Sequence, residues 1–167
     1  MARREAALAQ VRKYGDPVLR ERARPLPAVD AAVRRQIAQM RRLLEDAMEA
    51  GLAATQLGIL NRVYVYRVDP DGPIHAVVNP ELEWVDTDVE VGEEGCLSIP
   101  GIWIEVPRPA RVQMRALDEQ GEPVVIDADV AEARVLQHEL DHLDGVLTLD
   151  RAEPAARRAA LRELRRR

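Results

Sequence analysis

The chain has 167 residues, of which 47 % are hydrophobic and 32 % charged, and its formal net charge is −5. That length suits one domain around one core, and the balance of apolar and charged residues excludes disordered, collagen-like and low-complexity classes. The absence of any apolar run near the ~20 residues of a membrane span excludes a membrane protein, and the acidic total excludes a chain that coats nucleic acid by bulk charge.

Residues 1–11 carry basic side chains but no apolar core followed by a small-residue cleavage site, so they predict an N-terminal arm rather than a secretory signal. Residues 12–28 are punctuated by Pro17, Pro25 and Pro27 and predict extended or turn structure. Asp30 stands where an N-cap is needed. Val33, Ile37, Met40, Leu44 and Met48 then recur at helical spacing, which predicts an amphipathic helix over 31–49, ended by Gly51. Strand patterns follow at 62–68, 74–78, 82–91 and 111–117, and the turn signal from Asp118 to Gly121 returns another strand at 123–127. A second helix is expected over 129–143, and a third that starts on Pro154 and runs through the Arg-rich end. Strands cluster between helices without βαβ alternation, so the fold class is α+β with antiparallel pairing. No repeat or linker divides the chain, which reads as a single domain over 1–167.

The sharpest motif lies on the second helix: His138-Glu139-Leu140-Asp141-His142. Histidines four residues apart share one helix face, so both rings can reach one metal ion, and the glutamate after the first can take a proton from water beside that ion. A hydrolytic centre of this kind needs a third protein ligand. Downstream stand Asp144, Asp150, Glu153 and Glu163, none at a familiar spacing; upstream stands the single cysteine, in Glu94-Gly95-Cys96-Leu97-Ser98-Ile99-Pro100. A thiolate suits Fe²⁺, Zn²⁺ or Co²⁺, and Cys96 is the stronger candidate. One cysteine also forms no internal disulfide, which points to a reducing, cytoplasmic setting. A third segment, Gly51-Leu52-Ala53-Ala54-Thr55-Gln56-Leu57-Gly58, offers small residues that a peptide can approach and a Gln56 amide able to donate to a developing oxyanion.

In this order and at this separation the segments 49–56 (EAGLAATQ), 94–100 (EGCLSIP) and 137–142 (QHELDH) resemble the bacterial peptide deformylases. Flanking stretches, among them Tyr14–Arg20, Val106–Pro109 and Leu143–Asp150, extend the resemblance over about residues 12–150. The resemblance implies antiparallel sheets around the helix that holds both histidines, and a hydrolase that removes the N-formyl group from the initiator methionine of new polypeptides. It implies one divalent ion, natively Fe²⁺, with Zn²⁺, Ni²⁺ or Co²⁺ able to replace it, held by Cys96, His138 and His142. It implies Glu139 as general base and acid, Gln56 and the Leu97 backbone N–H as oxyanion donors, and the Gly51 backbone as part of the peptide site. Asp141, between the ligands, is expected to pair with Arg108 and to orient them from behind.

Three positions depart from the family pattern: Glu49 replaces a glycine at the substrate entrance, Trp103 stands where some members carry a basic residue, and Thr148 stands where an aromatic is usual. They bear on substrate range rather than on the ligands. The H-E-x-x-H pattern alone would also serve a metalloprotease, and a binding module that has lost turnover is a further alternative. The tail is a separate matter. Residues 1–150 carry a net charge of −10, whereas 151–167 hold seven arginines against two glutamates. The basic helix over 154–167 is either an ordinary solvated terminus or, as the resemblance suggests, a contact to ribosomal RNA. Formylmethionyl nascent peptides and this ribosome contact are the expected partners; neither DNA nor a membrane is.

Overall fold

The computed structural model describes residues 1–166. The N-terminal arm is partly helical, as α1 (Ala2–Leu8). The next helix, α2 (Ala31–Ala47), starts where Asp30 caps the Val33 N–H at 2.9 Å. It ends one turn before Gly51, because Met48 itself takes the left-handed conformation (φ 61°) that closes the helix. Ile37, Met40 and Leu44 bury its inner face.

The chain then enters a short strand, β1 (Gly51–Ala53), followed by a 3₁₀ turn over Ala54–Leu57; neither was expected from the sequence. Strand β2 (Val63–Tyr66) occupies the centre of the predicted 62–68 run. The predicted strands at 74–78 and 82–91 are divided differently. One strand, β3 (His75–Val85), passes through Pro80, and the next, β4, runs over Val89–Cys96. Asn79 makes this possible: it sits at φ 51° where the ladder slips, and its side chain bonds both the N–H and the carbonyl of Leu26 at 2.8 Å. Strand β5 (Ile99–Pro109) was also unexpected. Strands β6 (Arg111–Leu117) and β7 (Pro123–Asp129) match the predicted hairpin.

Five strands form one antiparallel sheet in the order β1-β2-β3-β6-β7, and β4 pairs with β5 in a second, two-stranded sheet. Helix α3 (Val130–Leu143) lies between them. Ala133, Leu136, Leu140 and Leu143 recur at helical spacing and pack with Ala53, Tyr64, Val77 and Met114 of the large sheet. The opposite side of α3 is thereby turned toward β4. A short helix, α4 (Thr148–Arg151), leads to α5 (Pro154–Leu164), whose Ala160, Leu161 and Leu164 cover Ile99, Ile102 and Ile104 of β5. The buried Thr148 begins α4. The final position of the predicted tail helix, 167, lies outside the described residues.

Candidate metal centre and active site

Three motif segments far apart in sequence meet on the inner side of α3. Helical spacing puts His138 and His142 one turn apart, with their Nε2 atoms 3.2 Å from each other. Cys96, at the end of β4, brings its Sγ to 3.3 Å from His142 Nε2. All three donor atoms lie within 4.8 Å of one another. Ligand bonds of about 2.0–2.1 Å to nitrogen and 2.3 Å to sulfur give tetrahedral edges of about 3.3–3.6 Å, so one divalent ion fits this set. None of the four downstream carboxylates considered as ligands belongs to the group. Asp144 pairs with Arg62 and Arg22, Asp150 pairs with Arg20, and Glu163 lies beside Arg166 on α5.

The electrostatics favour a charged donor set. Burial would raise the Cys96 thiol, but the two imidazoles outweigh it and hold the thiol well below its ordinary range, as the thiolate that binds metals. His138 presents Nε2 inward because its other nitrogen, Nδ1, donates to Glu94 at 2.9 Å. Glu94 in turn accepts two bonds from Arg108, at 2.7 and 2.9 Å, and one from Arg134 at 2.9 Å. Burial pushes the Glu94 carboxyl up, yet Arg108 and His138 prevail and keep it well below the carboxylate range. Arg108 reaches on to Asp141 at 2.7 Å, and Arg151 closes the far side of Asp141 at 2.6 and 3.0 Å. One buried network therefore ties β5, β4, α3 and α4 behind the histidines.

The structure brings Arg108 and Asp141 together, but the carboxylate that touches a histidine is Glu94. That residue and Arg134 were missed in the sequence, although a signal existed. Glu94 precedes Cys96 by two, the spacing that shares a strand face. Arg134 precedes His138 by four, the spacing that shares a helix face.

Glu139 sits 3 % exposed beside the donors, and its Oε2 has no hydrogen-bond partner among the described residues. Burial raises its carboxyl above the usual range, against the pull of His138 and His142. Its place depends on Gly51, because a Cβ there would overlap the Glu139 carboxylate. Gly51→Ala is therefore expected to leave the chain folded and lower kcat at least tenfold by displacing the glutamate. Steady-state kinetics beside a thermal melt would check this; an unchanged kcat would show that Glu139 does not depend on this contact.

Gln56 is anchored by the Ala53 N–H, which donates to its Oε1 at 3.0 Å. Its Nε2 points toward the site, 3.1 Å from Ser98 Oγ and 3.8 Å from Cys96 Sγ. Thr55 Oγ1 donates to the His142 carbonyl at 3.1 Å and fixes this turn against α3. Leu97 follows Cys96 in the turn between β4 and β5. Together Glu49, Gly51, Gln56, Cys96, Leu97, Trp103, His138 and Glu139 line a cleft of about 180 Å³. Glu49 lies 3.6 Å from Arg4 of α1, and its carbonyl accepts from Arg67 at 3.1 Å.

The family model described as polypeptide deformylase matches residues 8–158. The chain belongs to the peptide deformylase family. The peptide deformylase of Acidothermus cellulolyticus is 42 % identical over 159 residues, which cover 95 % of this chain and 87 % of that one. That of Thermotoga neapolitana is 45 % identical over 148 residues, 89 % of each chain. Among solved structures, the Thermotoga maritima deformylase superposes with a TM-score of 0.83 at 42 % identity, covering 86 % of this chain and 97 % of that one. The Synechococcus elongatus deformylase, solved in complex with actinonin, superposes with a TM-score of 0.86 at 38 % identity, covering 92 % and 85 %. The family is an enzyme family, and the single-domain α+β fold with a C-terminal helix is shared with these structures. No described helix is long and apolar enough to cross a membrane.

Proposed function

We propose that Cys96, His138 and His142 hold one divalent ion, natively Fe²⁺, and that Glu139 is the acid–base group of formyl hydrolysis. The convergence of three donor atoms beside a buried carboxylate oxygen with no hydrogen-bond partner among the described residues carries this reading. One thiolate with two imidazoles also accepts Zn²⁺, Ni²⁺ or Co²⁺.

The enzyme removes the N-formyl group from newly made polypeptides and releases formate. When bound, the ion supplies Lewis acidity that makes water nucleophilic near neutral pH. Glu139 accepts the proton that water gives up as its oxygen joins the formyl carbon. Negative charge then develops on the formyl oxygen, where Gln56 Nε2 and the Leu97 N–H donate to it. One such donor is worth about 2.7–4 kcal/mol of transition-state stabilisation. Glu139 returns the proton to the methionyl nitrogen, the C–N bond breaks, and formate and a free amine leave. A carboxyl raised by burial suits both halves of this task. The Gly51 backbone helps hold the peptide. A formyl carbon bears only hydrogen, so it is the smallest acyl group this cleft could be asked to accept beside Cys96, Leu97 and Glu139.

Formyl-Met-Ala-Ser assayed beside unformylated Met-Ala-Ser tests this reading. Formate from the first and no reaction of the second are expected. Cleavage inside the unformylated peptide would replace the reading with that of a metalloprotease.

The whole of 1–167 serves as one catalytic domain in this reading, with 1–11 as an arm and 154–167 as a basic extension. It works in the cytoplasm, where formylated chains emerge. One face of α5 is occupied by β5, while Arg158, Arg162 and Arg165 are exposed. These arginines are suited to ribosomal RNA phosphates. Converting all three to glutamine is expected to halve ribosome co-sedimentation or more at low salt and to leave small-peptide turnover intact. Equal pelleting would reject the contact. Deleting α5 would be a poorer test, since it uncovers Ile99, Ile102 and Ile104.

A further inference from the structure

The catalytic cleft continues past its mouth. Glu93 and Trp103 line it, and they also line a second groove of about 650 Å³ between β5 and α5, with Ile102, Ile104 and Ala159. In the β4–β5 pair Glu93 lies directly opposite Glu105, and Gly95 lies opposite Trp103. Strand alternation puts these four positions on one face, the outward one. Trp103 is 67 % exposed, and its ring covers Gly95, where a Cβ would stand 3.1 Å from it.

Glu93 and Glu105 are both exposed, and neither has an ion-pair partner among the described residues. Like charges directly opposite on a sheet weaken the pairing. Arg134, the one arginine among the described residues lining the cleft, does not relieve them: its guanidinium is engaged by Glu94 and by the carbonyls of Val106 and Glu90. No described cation lines the second groove. Two unrelieved carboxylates beside an exposed indole, on the path that leads out of the substrate cleft, are complementary to a cationic side chain. Carboxylates pair with its charge, and an indole face stacks on it.

We propose that Glu93, Glu105 and Trp103 form a subsite for a lysine or arginine side chain in the two or three residues after formyl-methionine. The inference rests on the deformylase reading, since a chain anchored by its formyl end is what crosses this face. The gain is modest because the subsite is exposed and screened. Lysine at the third or fourth position raises kcat/KM about three- to tenfold over glutamine, chiefly through KM.

The test compares metal-loaded enzyme on formyl-Met-Ala-Lys-Lys, formyl-Met-Ala-Gln-Gln and formyl-Met-Ala-Glu-Glu. Calorimetry with the product peptides Met-Ala-Lys-Lys and Met-Ala-Gln-Gln gives a readout that needs no turnover. The expected order is Lys above Gln above Glu in both measurements, compressed at 0.5 M salt and in Glu105→Gln. Turnover of formyl-Met-Ala-Ser by that variant stays at the wild-type level. Equal kcat/KM and equal binding across the series, or a lysine preference that survives Glu105→Gln, would overturn the subsite. Failure to release formate from formyl-Met-Ala-Ser would instead overturn the deformylase reading, while calorimetry still reports the subsite.

Discussion

Glu139→Gln is expected to lower kcat by 10²–10⁴ or more, the usual worth of a positioned acid–base group, while metal content stays at the wild-type level. The variant keeps the shape of the side chain and its contact with Gly51, and removes only the ability to carry the proton. The glutamate is not among the ligand atoms, so the ion has no reason to leave. The pH profile adds a second signature. The base works deprotonated, so kcat/KM should fall on the acid side as the Glu139 carboxyl, which burial raises and His138 and His142 lower, takes up its proton. In Glu139→Gln that limb should be lost from whatever activity remains. Formate release measured against pH, with metal quantified in the same samples, checks both; full activity in the variant would remove the proposed base.

Arg108→Met is expected to be the most damaging change outside the reacting groups. Arg108 is 4 % exposed and bridges two buried carboxylates. Removing it leaves Glu94 and Asp141 with like charge and reduced compensation. Losing one partner of a buried ion pair costs about 3–5 kcal/mol. Arg134 and Arg151 remain in place on the two carboxylates, so the lower end is expected here. At about 2–4 °C per kcal/mol for a chain this long, the melting temperature should fall by roughly 6–12 °C. Metal affinity should fall too, because Glu94 then holds the His138 ring less firmly. Thermal unfolding of the wild type and the variant, each measured with and without added metal, reads both effects; an unchanged melt would show that the network adds nothing to stability.

Much of the architecture was legible in the sequence for identifiable reasons. Helix α3 combines a strict apolar repeat on one side with the H-E-x-x-H pattern on the other, and both signals survive folding intact. The β6–β7 hairpin is announced by its turn. Strand β5 was hidden because Pro100, Gly101, Pro107 and Pro109 suppress the strand pattern. It can still be a strand because it lies at the edge of a two-stranded sheet, with β4 as its neighbouring strand, and proline is tolerated in edge strands. The boundary of β3 was misplaced because proline reads as a stop, whereas here Asn79 absorbs the irregularity beside Pro80.

The site divides in the same way. Cys96, His138 and His142 stood out by residue type and motif, but their distances depend on β4 reaching α3, which no local pattern encodes. The small residues at 51–54 read as room for a peptide, and at Gly51 part of that room is taken by the Glu139 carboxylate. Glu94 and Arg134 escaped notice because charged residues in an acidic chain look like solvated surface. Their burial follows from tertiary packing alone.

The most direct test is an anaerobic titration of metal-free protein with Fe²⁺ or Ni²⁺, with formate release from formyl-Met-Ala-Ser followed at each addition. Activity should rise linearly and break at one ion per chain, with the sharp break lost in Cys96→Ser. Formate release by the metal-free protein, a break at another stoichiometry, or an unaltered titration in Cys96→Ser would contradict a single ion held by Cys96, His138 and His142.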